Sequence, residues 1–286
     1  MPNVAVLTDS CASLPEDLLR QLNIRTVAYY IHRGGEVLRD LVTIQRDEFL
    51  RWLVTARSLP TTASPGPGDY FEAYEQLAAH GASEIISIQM SSKVSGGYQA
   101  ATVAQTMLKE AHPQVRVEVV DTLSAALCQG WMVLEAARSA LAGASLDHIL
   151  ASVRSMIPIT RMIQTADTLR YLYLGGRIGK AQHLAGSLLN IKPLIGIQDG
   201  IIVPLGQAHS RGQAYRQMAE MVAAAVGKSR ARVAYMHAGA QREVEKIKEL
   251  VEANVEVAES FFAELSPALA VHTGPGTAGL CFYPVE

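Results

Sequence analysis

The chain has 286 residues, of which 49% are hydrophobic and 18% are charged. This length predicts one large or two medium domains with a sizeable core, and the composition excludes a disordered or low-complexity chain. Because 25 Lys and Arg residues stand against 27 Asp and Glu residues, the net charge of -2 argues against nucleic acid as a main partner.

The N-terminal and cysteine patterns bear on localisation and on metal binding. The segment MPNVAVLTDS has no basic stretch before an apolar core, and no segment reaches the roughly 18 consecutive apolar residues of a membrane span. We therefore expect a cytoplasmic protein without a transmembrane segment. Cys11, Cys128 and Cys281 form no Cys-x-x-Cys pair and no His-Glu-x-x-His motif occurs, so we expect neither a disulfide framework nor a metal site.

In the first half of the chain, short β-rich segments alternate with helical patterns, which is the order that builds a mostly parallel sheet with helices on both faces. The predicted strands are Val4–Leu7, Ile85–Met90 and Val115–Val120. The helical periodicity predicts helices at Pro15–Leu22, Asp47–Ala56, Asp69–His80, Tyr98–Ala111, Ser124–Leu141 and Ser145–Met156. Ser13 followed three residues later by Glu16 predicts a capping box at the first of these helices.

The pattern changes near Pro158, so we predict an α/β domain over residues 1–158 and a second domain over residues 159–286. The turn signal Asp199-Gly200 predicts a two-residue hairpin, and its antiparallel strands make the second domain α+β with a mixed sheet. The other predicted elements are a strand at Arg161–Ala166, helices at Asp167–Leu174, Ile178–Asn190, Arg211–Val226 and Arg242–Ala253, the hairpin strands Ile191–Gln198 and Ile201–Gln207, and strands at Val233–His237, Val255–Ala258 and Leu280–Tyr283.

Each clear strand of the first half runs into a small polar loop: Thr8-Asp9-Ser10, Ser91–Gly97 and Asp121-Thr122. The carboxyl ends of parallel strands face one crevice, where ligands bind. Ser95-Gly96-Gly97 opens a helix, and the free N–H groups of a helix start favour an anion such as a carboxylate or phosphate. A purely structural role for Ser95 as the helix cap fits this loop equally well.

Taken in chain order, short motifs resemble those of the DegV family nearly from end to end. They are Thr8-Asp9-Ser10, Thr62, Ser91–Gly96, Asp121, Thr168–Leu172, Gly175–Ile178, Ile191–Pro193 with Asp199-Gly200, and His272–Gly276. The resemblance implies a DegV-like fold of two domains that bind a long-chain fatty acid between them. In bacteria with the fatty acid kinase system such a protein is the FakB subunit, and a separate kinase, FakA, phosphorylates the bound acid to an acyl phosphate for phospholipid synthesis.

The resemblance also implies which residues bind the head group. Thr62 and Ser95 would hydrogen-bond the fatty acid carboxylate, the N–H of Gly96 would assist them, and His272 would lie close by. The family commonly has Thr after Ser-Gly, where this chain has Gly97. The resemblance implies no catalytic residue, no cofactor and no metal for this chain, since ATP and magnesium would belong to the kinase.

Two arginines resemble family positions tied to phosphoryl transfer or to docking of the kinase. Arg177 lies in the Gly-Gly-Arg-Ile motif, and Arg211 follows the hairpin. Gly212-Gln213 follows Arg211 where the family frequently has a more polar or basic run, which departs from the docking pattern. The basic residues around Arg177 and Arg211 form a local excess of positive charge. This excess favours binding of an anionic ligand, and a solvated basic surface is the alternative explanation.

An acyl chain contributes about 0.8 kcal/mol for each buried CH₂ group, so its tail needs an apolar tunnel. The aliphatic segments Ala181–Leu189 and Leu194–Leu205 are candidates for its wall, and ordinary core packing is the alternative for both. Two other functions stay open. One alternative is a stand-alone α/β enzyme that acts on a small anionic metabolite, with Asp9 or Asp121 as base and Arg177 as clamp. The other is a regulatory protein that senses a lipid without passing it to a kinase.

Overall fold

The computed structural model describes residues 4–184 and 191–286. The strands in these ranges are β1 (Val4–Asp9), β2 (Ile24–Val27), β3 (Tyr30–Arg33), β4 (Glu36–Arg39), β5 (Thr61–Ala63), β6 (Glu84–Gln89), β7 (Arg116–Asp121), β8 (Arg161–Thr165), β9 (Lys192–Gln198), β10 (Ile201–Ala208), β11 (Arg230–His237), β12 (Val257–Glu264) and β13 (Ala278–Val285). The α-helices are α1 (Glu16–Gln21), α2 (Arg46–Thr55), α3 (Pro67–Ala79), α4 (Gly97–Ala111), α5 (Ala126–Leu141), α6 (Leu146–Met156), α7 (Arg170–Leu174), α8 (Arg211–Val226), α9 (Gln241–Glu252) and α10 (Pro267–Thr273). Among the described residues, no helix is both long enough and apolar enough to cross a bilayer.

The first sheet has the order β2-β1-β6-β7, and all of its neighbouring strands are parallel. Helices α3 and α4 cover one face through Tyr70, Tyr74 and Ala101, while α5 and α6 cover the other face. The predicted parallel sheet with helices on both faces is therefore confirmed. Strand β2 was not predicted, because four residues with a single buried residue at each end carry too little β-pattern to stand out.

A small antiparallel sheet in the order β4-β3-β5 lies between β2 and α3 in the chain and was also not predicted. Its strands are three or four residues long, which is too short to show an alternating pattern. In β5, Thr62 is the register partner of Ile31 in β3. This pairing determines where the Thr62 side chain lies.

The second sheet is mixed, as predicted, with the order β10-β9-β8-β13-β11-β12. Its neighbours are antiparallel except for the parallel pair of β11 and β12. The predicted hairpin joins β9 to β10, and positive φ angles of 50° at Asp199 and 82° at Gly200 match the turn that favours Asp-Gly. Helices α8 and α9 pack on one face, and α5 packs on the other, where Trp131 Nε1 donates to Cys281 O at 3.2 Å.

Several local predictions were wrong. Helix α1 follows Pro15 without a side-chain cap, so the capping box is absent; Ser13 Oγ accepts instead from the N–H of Ser266 at 3.0 Å. The helix predicted to begin at Asp167 begins at Arg170. The strand predicted at 255–258 is the longer β12, and α10 was not predicted although Ser266 caps it and a proline follows.

The helix predicted over 178–190 is also corrected. Residues Gly179–Leu184 form a 3-10 helix, and residues 185–190 lie outside the described part of the chain. Gly179 has a φ of +54°, and a Cβ there would lie 2.5 Å from the carbonyl oxygen of Ile202. This close packing of the segment on β10 requires a glycine conformation that interrupts an α-helix.

Candidate functional site

A cavity of about 350 Å³, called here the central cavity, lies where loops of the parallel sheet meet the mixed sheet and α10. Its volume falls within the range of about 300–1,000 Å³ that small-molecule sites occupy. Its described lining contains no Asp, Glu or Lys. The lining residues are Cys11, Tyr29, Thr62, Ala63, Ser64, Met90, Val94, Ser95, Gly96, Ala125, Ala126, Met162, Gln164, Leu172, Arg177, Ile197, Ile202, Leu265, Ala268, Leu269, His272 and Thr273.

The loop from β6 to α4 brings Ser95 and Gly96 to the cavity. Ser95 Oγ lies 2.5 Å from the hydroxyl oxygen of Tyr29 and accepts from the N–H of Gly97 at 3.2 Å. Within the described ranges, the N–H of Gly96 donates to no other residue. The start of the 15-residue helix α4 therefore faces the cavity with a free N–H and a hydroxyl, both of which suit an anion.

Thr62 and His272 come from distant parts of the chain and meet at the cavity, where Thr62 Oγ1 lies 2.8 Å from His272 Nε2. Burial, aided by the charge of Arg177, lowers the pKa of His272 to about 4, so its ring is neutral at pH 7. His272 Nδ1 is buried and has no hydrogen-bond partner among the described residues. A buried acceptor without a partner is less costly than a buried N–H group without one, so we place the ring proton on Nε2. Nε2 then donates to Thr62 Oγ1, and the threonine hydroxyl is free to donate to a ligand.

The Gly-Gly-Arg-Ile motif packs against this histidine. A Cβ at Gly175 would lie 2.4 Å from His272 Nδ1, so only glycine lets the ring take its position. The exposed Arg177 lines the same cavity, and its Nη1 donates to the carbonyl oxygen of Gly175 at 2.7 Å. The motif therefore places one cation beside the hydroxyl groups while it makes room for a neutral imidazole.

Arg211 lies elsewhere and does not line the central cavity. Its guanidinium group binds both carboxylate oxygens of Asp167, at 3.2 and 2.6 Å, and donates to the Tyr215 hydroxyl and to Gly276 O. Of the residues predicted from sequence, the structure thus brings Thr62, Ser95, Gly96, His272 and Arg177 together and leaves Arg211 apart.

The strand-end carboxylates hold loops in place. Asp9 accepts from the N–H groups of Cys11 at 2.9 Å and Met90 at 3.0 Å, and burial raises its pKa to about 6. Asp121 Oδ1 accepts from the N–H groups of Ser92 and Leu123. Neither aspartate lines the central cavity, so the geometry gives no support to a catalytic base at either position.

Sequence reasoning missed Tyr29, which follows a short strand and belongs to no motif. Its hydroxyl explains the departure at Gly97, because a Cβ at that position would lie 2.8 Å from the Tyr29 oxygen and 3.1 Å from that of Tyr70. The space that a side chain at position 97 would need is filled by two tyrosine hydroxyls.

The cavity wall includes part of the apolar sequence considered for the tail. From Leu194–Leu205, Ile197 and Ile202 line the cavity. From Ala181–Leu189, none of the described residues 181–184 lines it, and residues 185–189 lie outside the described part of the chain.

Comparison with known proteins assigns the fold to a family. The family model described as "Uncharacterised protein, DegV family" matches residues 3–285. A DegV domain-containing protein of Caldanaerobacter subterraneus subsp. tengcongensis is 31% identical over 283 residues, which cover 99% of each chain. The chain therefore belongs to the DegV family, as the sequence motifs indicated.

Two solved structures are similar over nearly their whole length. A fatty-acid-binding DegV family protein from Thermus thermophilus is 32% identical and superposes with a TM-score of 0.92, with 99% of this chain and 100% of that chain covered. DegV from Bacillus subtilis, described as a fatty acid binding protein, is 29% identical with a TM-score of 0.87, and both chains are covered completely. The α/β architecture with a parallel and a mixed sheet is thus the fold of these relatives.

Proposed function

We propose that this protein binds a long-chain fatty acid in the central cavity and presents its carboxylate to a separate kinase. In this proposal residues 1–158 supply Thr62, Ser95 and Gly96 as donors to the carboxylate, and residues 159–286 close over the ligand and supply His272. The observation that carries the proposal is a largely apolar cavity, with no carboxylate among its described lining residues, at which two hydroxyls and a helix N–H converge. The fatty acids bound by the Thermus thermophilus and Bacillus subtilis relatives support the same ligand class.

The donors suit a carboxylate that leaves water. An unpaired buried carboxylate costs several kcal/mol, so a single hydrogen bond is not enough. Thr62, Ser95 and the N–H of Gly96 together supply three donors, and the neutral His272 directs the Thr62 hydroxyl toward the ligand. Arg177 at the same cavity adds a positive charge, and the described part of the lining holds no acidic residue beside it.

The tail supplies the affinity. About fifteen CH₂ groups at about 0.8 kcal/mol each give near 12 kcal/mol before entropy and desolvation costs are subtracted. Apolar residues from both halves of the chain, including Met90, Val94, Ile197 and Leu269, line the cavity. A ligand with a long apolar tail therefore fits better than a small anionic metabolite, which would leave this apolar surface uncovered.

The protein's part in the reaction is positioning. The carboxylate oxygen would form a bond to the γ-phosphorus of ATP held by the FakA-type kinase, the bond from that phosphorus to the β,γ-bridging oxygen would break, and ADP would leave. Within the described lining, Thr62 is the hydroxyl that lies beside a histidine, and with the proton of His272 on Nε2 the ring donates to this hydroxyl and does not act as its base. Holding the carboxylate in one orientation makes the transfer effectively unimolecular within the complex.

Binding is tested by titrating delipidated protein with palmitate by calorimetry. We expect Thr62→Ala and Ser95→Ala each to weaken binding roughly tenfold to a hundredfold, because hydrogen bonds to charged groups contribute about 1.5–3 kcal/mol. Thr61→Ala on β5 and Ser92→Ala in the β6–α4 loop are matched controls, since both residues are exposed and neither lines the cavity. Equal affinities of all four variants and the wild type would contradict the proposed head-group site.

Presentation is tested separately with a FakA-type kinase, magnesium and ATP. We expect palmitoyl phosphate only when this protein, the kinase and palmitate are all present, as measured by mass spectrometry. Normal palmitate binding without acyl phosphate would instead support a lipid-sensing regulator. Turnover of a water-soluble carboxylate by this protein alone would support a stand-alone enzyme.

A further inference from the structure

A second, smaller cleft adjoins the central cavity, and we call it the Lys93 cleft. It has a volume of about 260 Å³ and is lined by Lys93, Val94, Gly176, Arg177, Gly179, Ile201 and Ile202. Three of these residues, Val94, Arg177 and Ile202, also line the central cavity. The two cavities are therefore direct neighbours, and Arg177 contributes to the lining of both.

The Lys93 cleft carries positive charge that the protein does not neutralise. Its described lining contains no carboxylate. Across residues 4–184 and 191–286, neither Lys93 nor Arg177 forms an ion pair with an acidic side chain, whereas Lys192 and Arg211 both pair with Asp167. Two unpaired cations on one concave surface favour an anion with more than one negative charge.

The position of Lys93 is determined by contacts with the β9–β10 hairpin. The N–H of Lys93 donates to Ser91 Oγ at 3.2 Å, and Ser91 Oγ donates to the carbonyl oxygen of Gly200 at 2.9 Å. A Cβ at Gly200 would lie 2.9 Å from Lys93 Cγ, so the lysine stem packs directly on the turn. The backbone and the stem of Lys93 are therefore positioned by contacts with the loop and the turn, while its ammonium group is exposed.

We propose that the Lys93 cleft binds the phosphoryl group of an acyl phosphate, with Lys93 and Arg177 as its two cations. This inference rests on the proposed function, because it assigns the cleft to the product of the same bound fatty acid. Phosphorylation of the carboxylate adds a bulky, doubly ionisable group that the neutral hydroxyls of the central cavity cannot balance. Lysine acts as a point charge toward phosphate and needs no fixed geometry, which suits its place at the open side of the site.

The test compares hexadecyl phosphate, a stable phosphate with a C16 tail, with palmitate on the same delipidated protein. The measured quantity is the ratio of the two dissociation constants from calorimetry. We expect Lys93→Gln to weaken the binding of hexadecyl phosphate about fivefold to tenfold more than the binding of palmitate. The contact that is lost is a charge-assisted hydrogen bond at a partly exposed site. Lys93→Arg retains the charge and restores the ratio, and Lys180→Gln, an exposed lysine outside both linings, leaves it unchanged.

The outcomes separate this inference from the proposed function. If Lys93→Gln weakens both ligands equally, Lys93 has a structural role and the inference is wrong. If the ratio does not change, the phosphoryl group does not contact Lys93, and the inference is again wrong. If wild-type protein binds neither palmitate nor hexadecyl phosphate, the proposed function fails as well.

Discussion

A single turn of 3-10 helix, Ser10–Ala12, separates two pockets of opposite chemistry. Cys11 lines the central cavity, whereas Ser10 and Ala12 line a pocket of about 230 Å³ that we call the acidic pocket. The acidic pocket contains the carboxylates of Asp9, Glu16 and Asp40 together with one cation, Arg46, and the described lining of the central cavity contains no carboxylate.

The difference lies in how each set of polar groups is already used. Both oxygens of Asp9 accept from backbone N–H groups, those of Cys11 and Met90. Asp40 Oδ1 accepts from the N–H of Ala268 at 3.1 Å, which fixes the start of α10 and hence His272, while its Oδ2 is buried without a hydrogen-bond partner among the described residues. In the central cavity, the Thr62 hydroxyl accepts from His272 and keeps its hydrogen for a ligand. The Ser95 and Tyr29 hydroxyls share one hydrogen bond, which leaves one of their two hydrogens free. Asp9 thus shows that a polar residue at a strand end is not a candidate for ligand binding when both of its oxygens already accept from neighbouring loops.

The largest expected effect comes from placing a carboxylate in the central cavity. Ser95→Asp opposes the carboxylate of the ligand inside a poorly solvated site, and we expect palmitate affinity at pH 8 to fall at least about a hundredfold. Ser92→Asp, in the same loop but exposed, serves as the control, and an equal loss in both variants would show a general effect of charge rather than a defined site.

A smaller effect is expected at the contact between the Gly-Gly-Arg-Ile motif and His272. In Gly175→Ala the new methyl group would meet His272 Nδ1 at 2.4 Å and Tyr171 O at 2.9 Å, so the ring must move away from Thr62. We expect a loss of roughly 1–3 kcal/mol in the free energy of unfolding, measured in urea, together with weaker palmitate binding. Gly35→Ala, where no atom lies within 4 Å, should change neither quantity, and a Gly175→Ala protein that behaves in the same way would contradict the packing argument.

The acidic pocket predicts a pH dependence of stability that is independent of the ligand. Burial raises the pKa of Asp9 and of Asp40 to about 6, so the folded state binds more protons than the unfolded state between about pH 4 and 6. These two groups therefore favour folding most below pH 4, and their contribution is lost as the pH rises through 6. His272 acts in the opposite direction, because its lowered pKa makes its contribution fall as the pH drops from 6.5 toward 4.

Asp40→Asn isolates this contribution, because asparagine keeps an acceptor for the N–H of Ala268. Between pH 4.5 and pH 7.5, we expect the free energy of unfolding of the wild type to fall by on the order of 2 kcal/mol more than that of Asp40→Asn. Urea unfolding of both proteins at the two pH values measures this difference. An identical difference between the two pH values in both proteins would show that Asp40 does not carry a raised pKa in the folded state.

The sequence allowed the parallel sheet, the mixed sheet and the hairpin to be predicted because each depends on local signals. Long alternating or apolar segments and the Asp-Gly turn carry enough information over a few residues. The small sheet β4-β3-β5 and α10 were missed because their residues are stabilised by distant partners, as in the pairing of Asp40 with Ala268. Short elements depend on tertiary contacts that no local pattern records.

The candidate site shows the same contrast between residues that local motifs reveal and residues that only tertiary contacts bring in. The family motifs pointed to Thr62, Ser95, Gly96, His272 and Arg177, which line one cavity. Tyr29 has no motif and reaches Ser95 only through the fold. Asp9 and Asp121 had the right position in the chain, but the sequence could not tell that their oxygens already hold the loops. The role of Arg211 in facing a partner stays a prediction. In the structure its guanidinium group binds Asp167.

The most direct test of the account is mass spectrometry of the organic extract from natively purified protein, with the Thr62→Ala/Ser95→Ala double variant prepared in parallel. We predict close to one long-chain fatty acid per wild-type chain and a strongly reduced amount in the double variant, and the mass will identify the chain length. An extract without fatty acid, from wild-type protein that also fails to take up added palmitate, would contradict the account.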